Sequence, residues 1–440
     1  MDIRTLPDIA MGVRDVPDRL LVEARMVLLD TIACAFDAVS RSALRRPSGT
    51  AEDPVVWGTG SSATASDAVF CNAYHSHAAD WDSVHYVTAG HPGVVILPSL
   101  MAEYETGRIA AVDVLRSYTV GVEAMAVLGN AYGDALRARR VHPTPTLGAA
   151  AAVIALCHAH RLRPSAVRMA LHLVGTTVAG STSAFGSAAK PYQVGAAARA
   201  AYEAVRFAEF SRAEPEDDWY APLLQPLGEP SYDSPHSFAE PWASDSYPVL
   251  IKPFPACASF VQVIHQLREL FAEGRHPGIE AVAVKIDVPQ TVLDASRYPL
   301  PVTVDQARFS LPFLVACLLA YGTVESRHFT ETELNTSRIQ ELMRGVTLGL
   351  LPGRLEKFGD HLYGRMLVKH PGGALTGQVV HGVDPHVNRW QDVKQKVHTC
   401  LPGDEVLADS LIRIISAFGE GGVPQRRKTL KDLVSGSART

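Results

Sequence analysis

The residues that could do chemistry gather in a few places. The densest is the stretch from Asn72 to Gly93, which holds His75, His77, Asp80, Asp82, His85 and His91. Four histidines and two aspartates this close suit either of two tasks. A metal could sit on His77, Asp80, Asp82 and His91, or the same groups could form a metal-free proton-transfer cluster around Asp80 and His91. His75 and His77 are two apart, so a helix would point them to different faces. There is no H-E-x-x-H, and no spacing here matches a zinc or iron signature, which favours the metal-free alternative. His142-Pro143-Thr144 precedes an Ala-rich helix, where free backbone N–H groups suit an anion; a turn-capping histidine is the plain alternative. Lys190 ends the small-residue run from Gly180 to Ala189, where a ligand could approach the backbone closely. Lys252 lies between Ile251 and Pro253, at a change of pattern along the chain. The chain has nine lysines against a background rich in arginine, and Lys190 is the only one before Lys252. That scarcity suggests that an amine is needed there, because the two cations differ chemically.

Together these residues suit binding of carboxylates and movement of a proton at a carbon next to a carboxylate or carbonyl. Lysine and histidine would neutralise the substrate anion and a developing enolate. Asp80 would fix a histidine tautomer or act as base. No G-x-S-x-G, P-loop or zinc signature is present. Gly58-Thr-Gly60-Ser-Ser-Ala63 matches the dinucleotide fingerprint G-x-G-x-x-A, but no alternating βαβ pattern follows it, so a plain strand-turn-helix connection is expected. No metal and no organic cofactor are expected.

These residues need elements to position them. Apolar spacing predicts helices over 18–38, 65–79, 94–105, 112–128, 146–160, 164–179 and 194–206. Residues 207–248 look irregular, with a short helix or two. Near residue 250 the pattern changes. Val282, Val284, Ile286 and Val288 alternate as a strand over 281–288. Helices follow over 305–321 and 331–343. Residues 365–369 and 375–380 flank Pro371-Gly372-Gly373 as a hairpin. Helices return over 388–400 and 404–418, and the tail after Gly421 is expected to be a frayed, solvated end. The fold class expected is mainly α: a large all-helical domain over 1–249, an inserted smaller α+β lid domain over 250–384, and C-terminal helices over 385–440 returning to the first.

Composition bounds the partners. With 440 residues, of which 47% are hydrophobic and 20% charged, the chain can bury large cores. A net charge of −5 argues against nucleic acid as a partner. The longest apolar run, Leu147 to Cys157, is far short of the ~18–20 residues a membrane span needs. The first residues are charged and carry no apolar signal-peptide core. The six scattered cysteines form no C-x-x-C pair and suit reduced thiols. A cytoplasmic protein acting on a small molecule is expected, with no membrane or nucleic-acid partner.

The chain resembles the MmgE/PrpD family of 2-methylcitrate dehydratases, cis-aconitate decarboxylases and iminodisuccinate epimerases. The resemblance rests on the order of Leu29–Ala35, the Asn72–Asp82 region, His91-Pro92-Gly93, His142-Pro143-Thr144 with Gly148, Lys190–Gly195, Ile251–Cys257, Gln306–Phe313 and Trp390–Cys400. It implies a large helical domain, an α+β lid, a homodimer with its site in a cleft, and chemistry without an obligatory metal or organic cofactor. It places catalytic residues at Asp80, His91, His142, Lys190 and Lys252, with His142 or Asp80 as base, His91 as proton donor and the lysines on substrate carboxylates. Asp82, His85, Gln193, Cys257 and Tyr298 would line the substrate site. This chain departs from the family pattern at Val84, Gln193, Cys257 and Val261, and Tyr298 only approximates a family tyrosine. Fewer polar groups imply a specialised substrate with fewer carboxylates. A metal-dependent hydrolase or lyase, or a non-catalytic ligand-binding relative, are the alternatives.

Overall fold

The structure is a computed structural model that describes residues 3–39, 44, 48–85, 88–211, 218–229, 238–239, 242, 248–273, 283–353, 361–381, 389–420 and 427–434. The chain is mainly helical. Its first part builds α1 (Leu6–Gly12), α2 (Asp18–Val39), α3 (Ala65–Ala78), α4 (Pro92–Glu105), α5 (Ala111–Ala138), α6 (Pro143–Ala159), α7 (Pro164–Thr177) and α8 (Ala189–Phe210). α4 and α6 are apolar nearly all round, as fully enclosed helices must be, and α2 is buried from Ala24 to Ala38. The alanines of α6 bring neighbours close; a Cβ on Gly148 would lie 2.6 Å from Val95 Cγ1.

A two-stranded ribbon, β1 (Val55–Val56) with β2 (Ser61–Ser62), interrupts the helices. The expected strand-turn-helix connection is therefore a tight hairpin. Its glycines Gly58 and Gly60 take positive φ, and Gly58 N–H donates to Val434 O (2.8 Å) rather than facing a ligand.

A second apolar core forms from Val84, Leu250 and side chains between Phe254 and Val379. Four strands lie in the order β4-β3-β5-β6: β3 (Ala283–Val288), β4 (Val346–Leu350), β5 (Leu362–His370) and β6 (Gly373–His381). β3 and β4 are parallel, and the other pairs are antiparallel. Val284, Ile286, Val288, Met366 and Val368 face inward at strand period, and the helices Val261–Glu273, Leu311–Tyr321 and Ser337–Arg344 belong to the same core. β4 was not expected; its run Val346–Leu350 is short and only half-buried.

Several boundaries differ from expectation. α5 runs ten residues further than 128 because Tyr132 and Leu136 continue its buried face. The expected helix over 305–321 is two pieces, Val304–Ala307 and Leu311–Tyr321, because Ser310 caps the second and Pro312 cannot continue the first. Asn335-Thr336 splits 331–343 in the same way. Residues 281–282, the 384/385 boundary, residue 388 and half of 207–248 lie outside the described residues.

The helices Trp390–Cys400 and Glu405–Ser416 pack on α2. The tail is not wholly frayed: Arg427–Val434 is a helix that buries Leu430, Leu433 and Val434, and Lys431 Nζ donates to Ala51 O (2.8 Å). An apolar stripe docks while Lys431 reaches the Ala51 carbonyl.

Candidate active site

Asp80, His91, His142 and Lys190 stand at or just beyond helix ends, and Asp82 and Lys252 on irregular segments between elements. α3 starts on its cap Thr64 and ends at Ala79; Asp80 then takes a left-handed backbone, φ 48°. Glycine is the usual residue there, and aspartate is one of the few others that tolerates it. His91 and His142 each precede a proline that opens a helix, α4 and α6, which holds both in extended backbone. His91 N–H donates to Thr144 Oγ1 (3.2 Å), so the two starts are tied together. Lys190 lies in the first turn of α8.

These ends converge on a buried polar cluster. Asp80 lies between two ammonium groups: Lys252 Nζ at 2.6 Å from Oδ1 and Lys190 Nζ at 3.3 Å from Oδ2. Lys252 also donates to Asp80 O and to Ala256 O (3.3 Å). Its three N–H groups thus all have acceptors. Lys190 Nζ donates to His77 Nε2 (2.7 Å) and sits over the rings of Phe185 (5.5 Å) and Phe309 (5.6 Å). Its third N–H has no protein acceptor among the described residues.

The partners assign the tautomers. An ammonium only donates and a carboxylate only accepts, so His77 carries its proton on Nδ1, 2.9 Å from Asp82 Oδ2. His91 Nδ1 faces the same Asp82 oxygen (2.9 Å) and Ser83 O (3.0 Å), both acceptors, and its Nε2 points toward Asp80 Oδ1 at 3.9 Å. Gln193 Oε1 accepts from Ser181 N–H (3.2 Å), which fixes it as the oxygen facing His142 Nδ1 (3.1 Å). His142 Nε2 is therefore left with its lone pair. The His77 ring lies 4.7 Å from that of His91 and 6.2 Å from that of His142.

Burial and the Lys190 charge hold His142 well below the ordinary histidine range, and burial lowers His77 to about 4, against the opposing pull of Asp82. Both are neutral at pH 7. Burial pushes against the charge on Asp80, but Lys190 and Lys252 outweigh it and hold the carboxyl far below its usual range. Between pH 6.5 and about 4 the unfolded chain binds protons that His77 refuses, so stability present above pH 6.5 is lost as pH falls through that window. From pH 7.5 to 4 the urea midpoint of the native protein should fall relative to that of His77→Gln; a difference that does not change with pH would contradict a neutral buried His77.

The other expected site residues fall as follows. Gln193 touches His142. Cys257 is half-buried near Asp80, where burial first and the Asp80 charge second raise its thiol, and its N–H donates to Arg308 O (3.0 Å). Tyr298 OH donates to Phe185 O (2.8 Å), and its ring presses on Gly186, where a Cβ would meet it at 2.4 Å. His85 is buried, and its backbone pairs with Gly90 across the turn that leads to His91.

Sequence reasoning used His77 only as a metal ligand, and the structure sets it between Lys190 and Asp82. It passed over Phe185, and it used Phe309 and Arg308 only as resemblance markers. Arg308 donates to Ala79 O (2.8 Å) and Pro255 O (3.2 Å), so with Lys252 it fastens the end of α3 to the 252–257 segment. The spacing of Phe185 and Arg308 along the chain offers no signal for these contacts.

His77, Asp82 and His91 could present one ligand atom each, all within 4.8 Å of one another. The donor types fit a divalent metal. Their distances, however, are those of two ring N–H groups sharing one carboxylate oxygen, and Lys190 bonds the other nitrogen of His77. That arrangement is complete as hydrogen bonding.

The comparisons cover both the helical part and the smaller α+β part of the chain. The MmgE/PrpD N-terminal domain matches residues 10–214 and the MmgE/PrpD C-terminal domain matches 254–408. The chain belongs to the MmgE/PrpD family. It is similar to the human cis-aconitate decarboxylase, 24% identical over 372 residues that cover 78% of this chain and 74% of that protein. It is also similar to the cis-aconitate decarboxylase of Aspergillus terreus, 29% identical over 201 residues, 42% of this chain and 40% of that protein. No helix among the described residues is long and apolar enough to cross a membrane.

Proposed function

We propose that this chain is a metal-free lyase or isomerase that removes a proton from the carbon next to a carboxylate or carbonyl of a small acid. The outcome is dehydration, decarboxylation or epimerisation, which share that first step. The observation that carries this reading is the Asp80–Lys190–His77 contact beside His91 and His142: a buried amine with one donor to spare, among neutral imidazoles. Lys190 holds the substrate carboxylate and takes up enolate charge as it develops. His142, neutral and with a bare Nε2, is the base. Asp80 is paired too strongly to be a good base; it holds the two ammonium groups in place. The proton that His142 Nε2 takes up is returned from that same nitrogen; His91 holds its own proton on Nδ1 toward Asp82 and Ser83 and lines the site. Lys252 serves Asp80 rather than the substrate.

Two ammonium groups and two carboxylates, Asp80 and Asp82, already balance among the described residues. A substrate with three carboxylates finds little net attraction there, and one with a single carboxylate near the reacting carbon fits better. The Phe185–Phe309 pair, 5.2 Å apart, suits an apolar or unsaturated portion beside it. Relative kcat/KM across 2-methylcitrate, citrate, cis-aconitate, iminodisuccinate and simpler hydroxy or unsaturated acids tests this. Preference for the simpler acids is expected. Preference for the tricarboxylates would overturn the substrate assignment, and silence across the panel would overturn the reaction class.

The metal alternative keeps one favouring observation, the three convergent donors. Activity is expected to survive EDTA unchanged, because those donors satisfy one another. Activity lost to EDTA and restored by zinc or manganese would favour the metal instead.

A further inference from the structure

An ion pair that the proposed chemistry does not use lies directly behind the site. Lys396, on the Trp390–Cys400 helix, pairs with Asp30 of α2, and both are buried. Lys396 Nζ also donates to Trp81 O (2.5 Å) and lies 5.2 Å from the centre of the Trp81 ring. Asp30 Oδ2 accepts the Ser83 N–H (3.0 Å). The pair thus holds the carbonyl before Asp82 and the amide after it. Asp82 in turn orients His77 and His91, and Ser83 O accepts from His91 Nδ1. Burial opposes the charge on Lys396, and Asp30 outweighs it and keeps the ammonium above its ordinary range. Cys34 and Cys400, both free thiols and buried, lie beside the pair.

We propose that Lys396 and Asp30 are positioning residues: the C-terminal helix reaches back across the fold to set the Trp81–Ser83 backbone, and through Asp82 the tautomers and orientation of His77 and His91. A buried pair is a costly way to add stability, but it is an effective way to fix a short irregular segment by both its donor and its acceptor. That segment has no helix or sheet ladder to hold it before the bridge at Val84.

The test reads the histidines directly by long-range proton–nitrogen correlation on protein labelled in its histidine rings, with His77→Gln and His91→Gln used only for assignment. The native protein is expected to show both rings as Nδ1–H. Lys396→Met, and Asp30→Asn with Lys396→Met so that no lone charge stays buried, should populate the other tautomer at His77 and His91 while the far-ultraviolet dichroism stays native. Folded variants with both rings unchanged would overturn the proposal. Hydrogen exchange on the native protein covers the case in which neither variant folds: a slowly exchanging Ser83 amide is expected, and a fast one overturns the grip. The catalytic consequence rests on the function proposed above. With a substrate in hand, kcat should fall by roughly a hundredfold with little change in KM, the effect of a small misplacement. A native protein that turns over no acid would sink that function while leaving the ring spectra to decide this inference.

Discussion

Replacing Lys190 with alanine is expected to lower turnover by roughly 10²–10³-fold and to leave the fold intact. Three observations set this apart from an ordinary buried-charge deletion. Asp80 keeps its closer partner, Lys252 at 2.6 Å, so no carboxylate is stranded. His77 keeps Asp82 on its Nδ1. The space beside Phe185 and Phe309 loses an ammonium group that only stacked on their rings. What disappears is a buried amine that has, among the described residues, one N–H left for a substrate oxygen. The loss should appear in kcat as well as KM, because charge on that oxygen grows toward the transition state. Steady-state kinetics with unfolding midpoints on the same preparation separate the two effects. Retained turnover in a folded Lys190→Ala variant would remove Lys190 from the mechanism.

Lys252→Met should do the reverse and act first on stability. Its ammonium serves the Asp80 carboxylate, the Asp80 carbonyl and the Ala256 carbonyl. Removing it takes both donors from a residue held at positive φ and loosens the 252–257 segment from the end of α3. Breaking a buried pair by deleting one partner costs about 3–5 kcal/mol. Asp80→Asn with Lys252→Met should not restore the native midpoint, because Lys190 then loses its carboxylate, but it should cost less than the two single changes added together. Urea denaturation checks both. If the double variant is less stable than the sum of the single changes, the pair is not what holds this junction.

Much of this arrangement could be read along the chain. The long helices announce themselves by apolar spacing, and His91-Pro92 and His142-Pro143 mark helix starts by a local rule about prolines. The scarcity of lysine drew attention to Lys190 and Lys252. What could not be read was how they pair. His77 and Lys190 are 113 residues apart, and nothing local says that they meet. That is why His77 entered only as a metal ligand beside Asp80, Asp82 and His91. The left-handed turn at Asp80 was equally hidden, because the residue type tolerates that conformation without demanding it. The docked helix Arg427–Val434 was masked by its charges, which dominate its composition while Leu430, Leu433 and Val434 make the contact. β4 was missed because a short strand at a sheet edge needs a partner to define it.

The central claim is metal-free proton removal in which Lys190 takes part. Proton NMR in D₂O tests it most directly, with EDTA-treated protein and the acid panel, run side by side with folded Lys190→Ala. The predicted result is deuterium entering the substrate next to its carboxylate, or product forming, with native protein only. Exchange that appears only once metal is added, or that proceeds undiminished in Lys190→Ala, would contradict it.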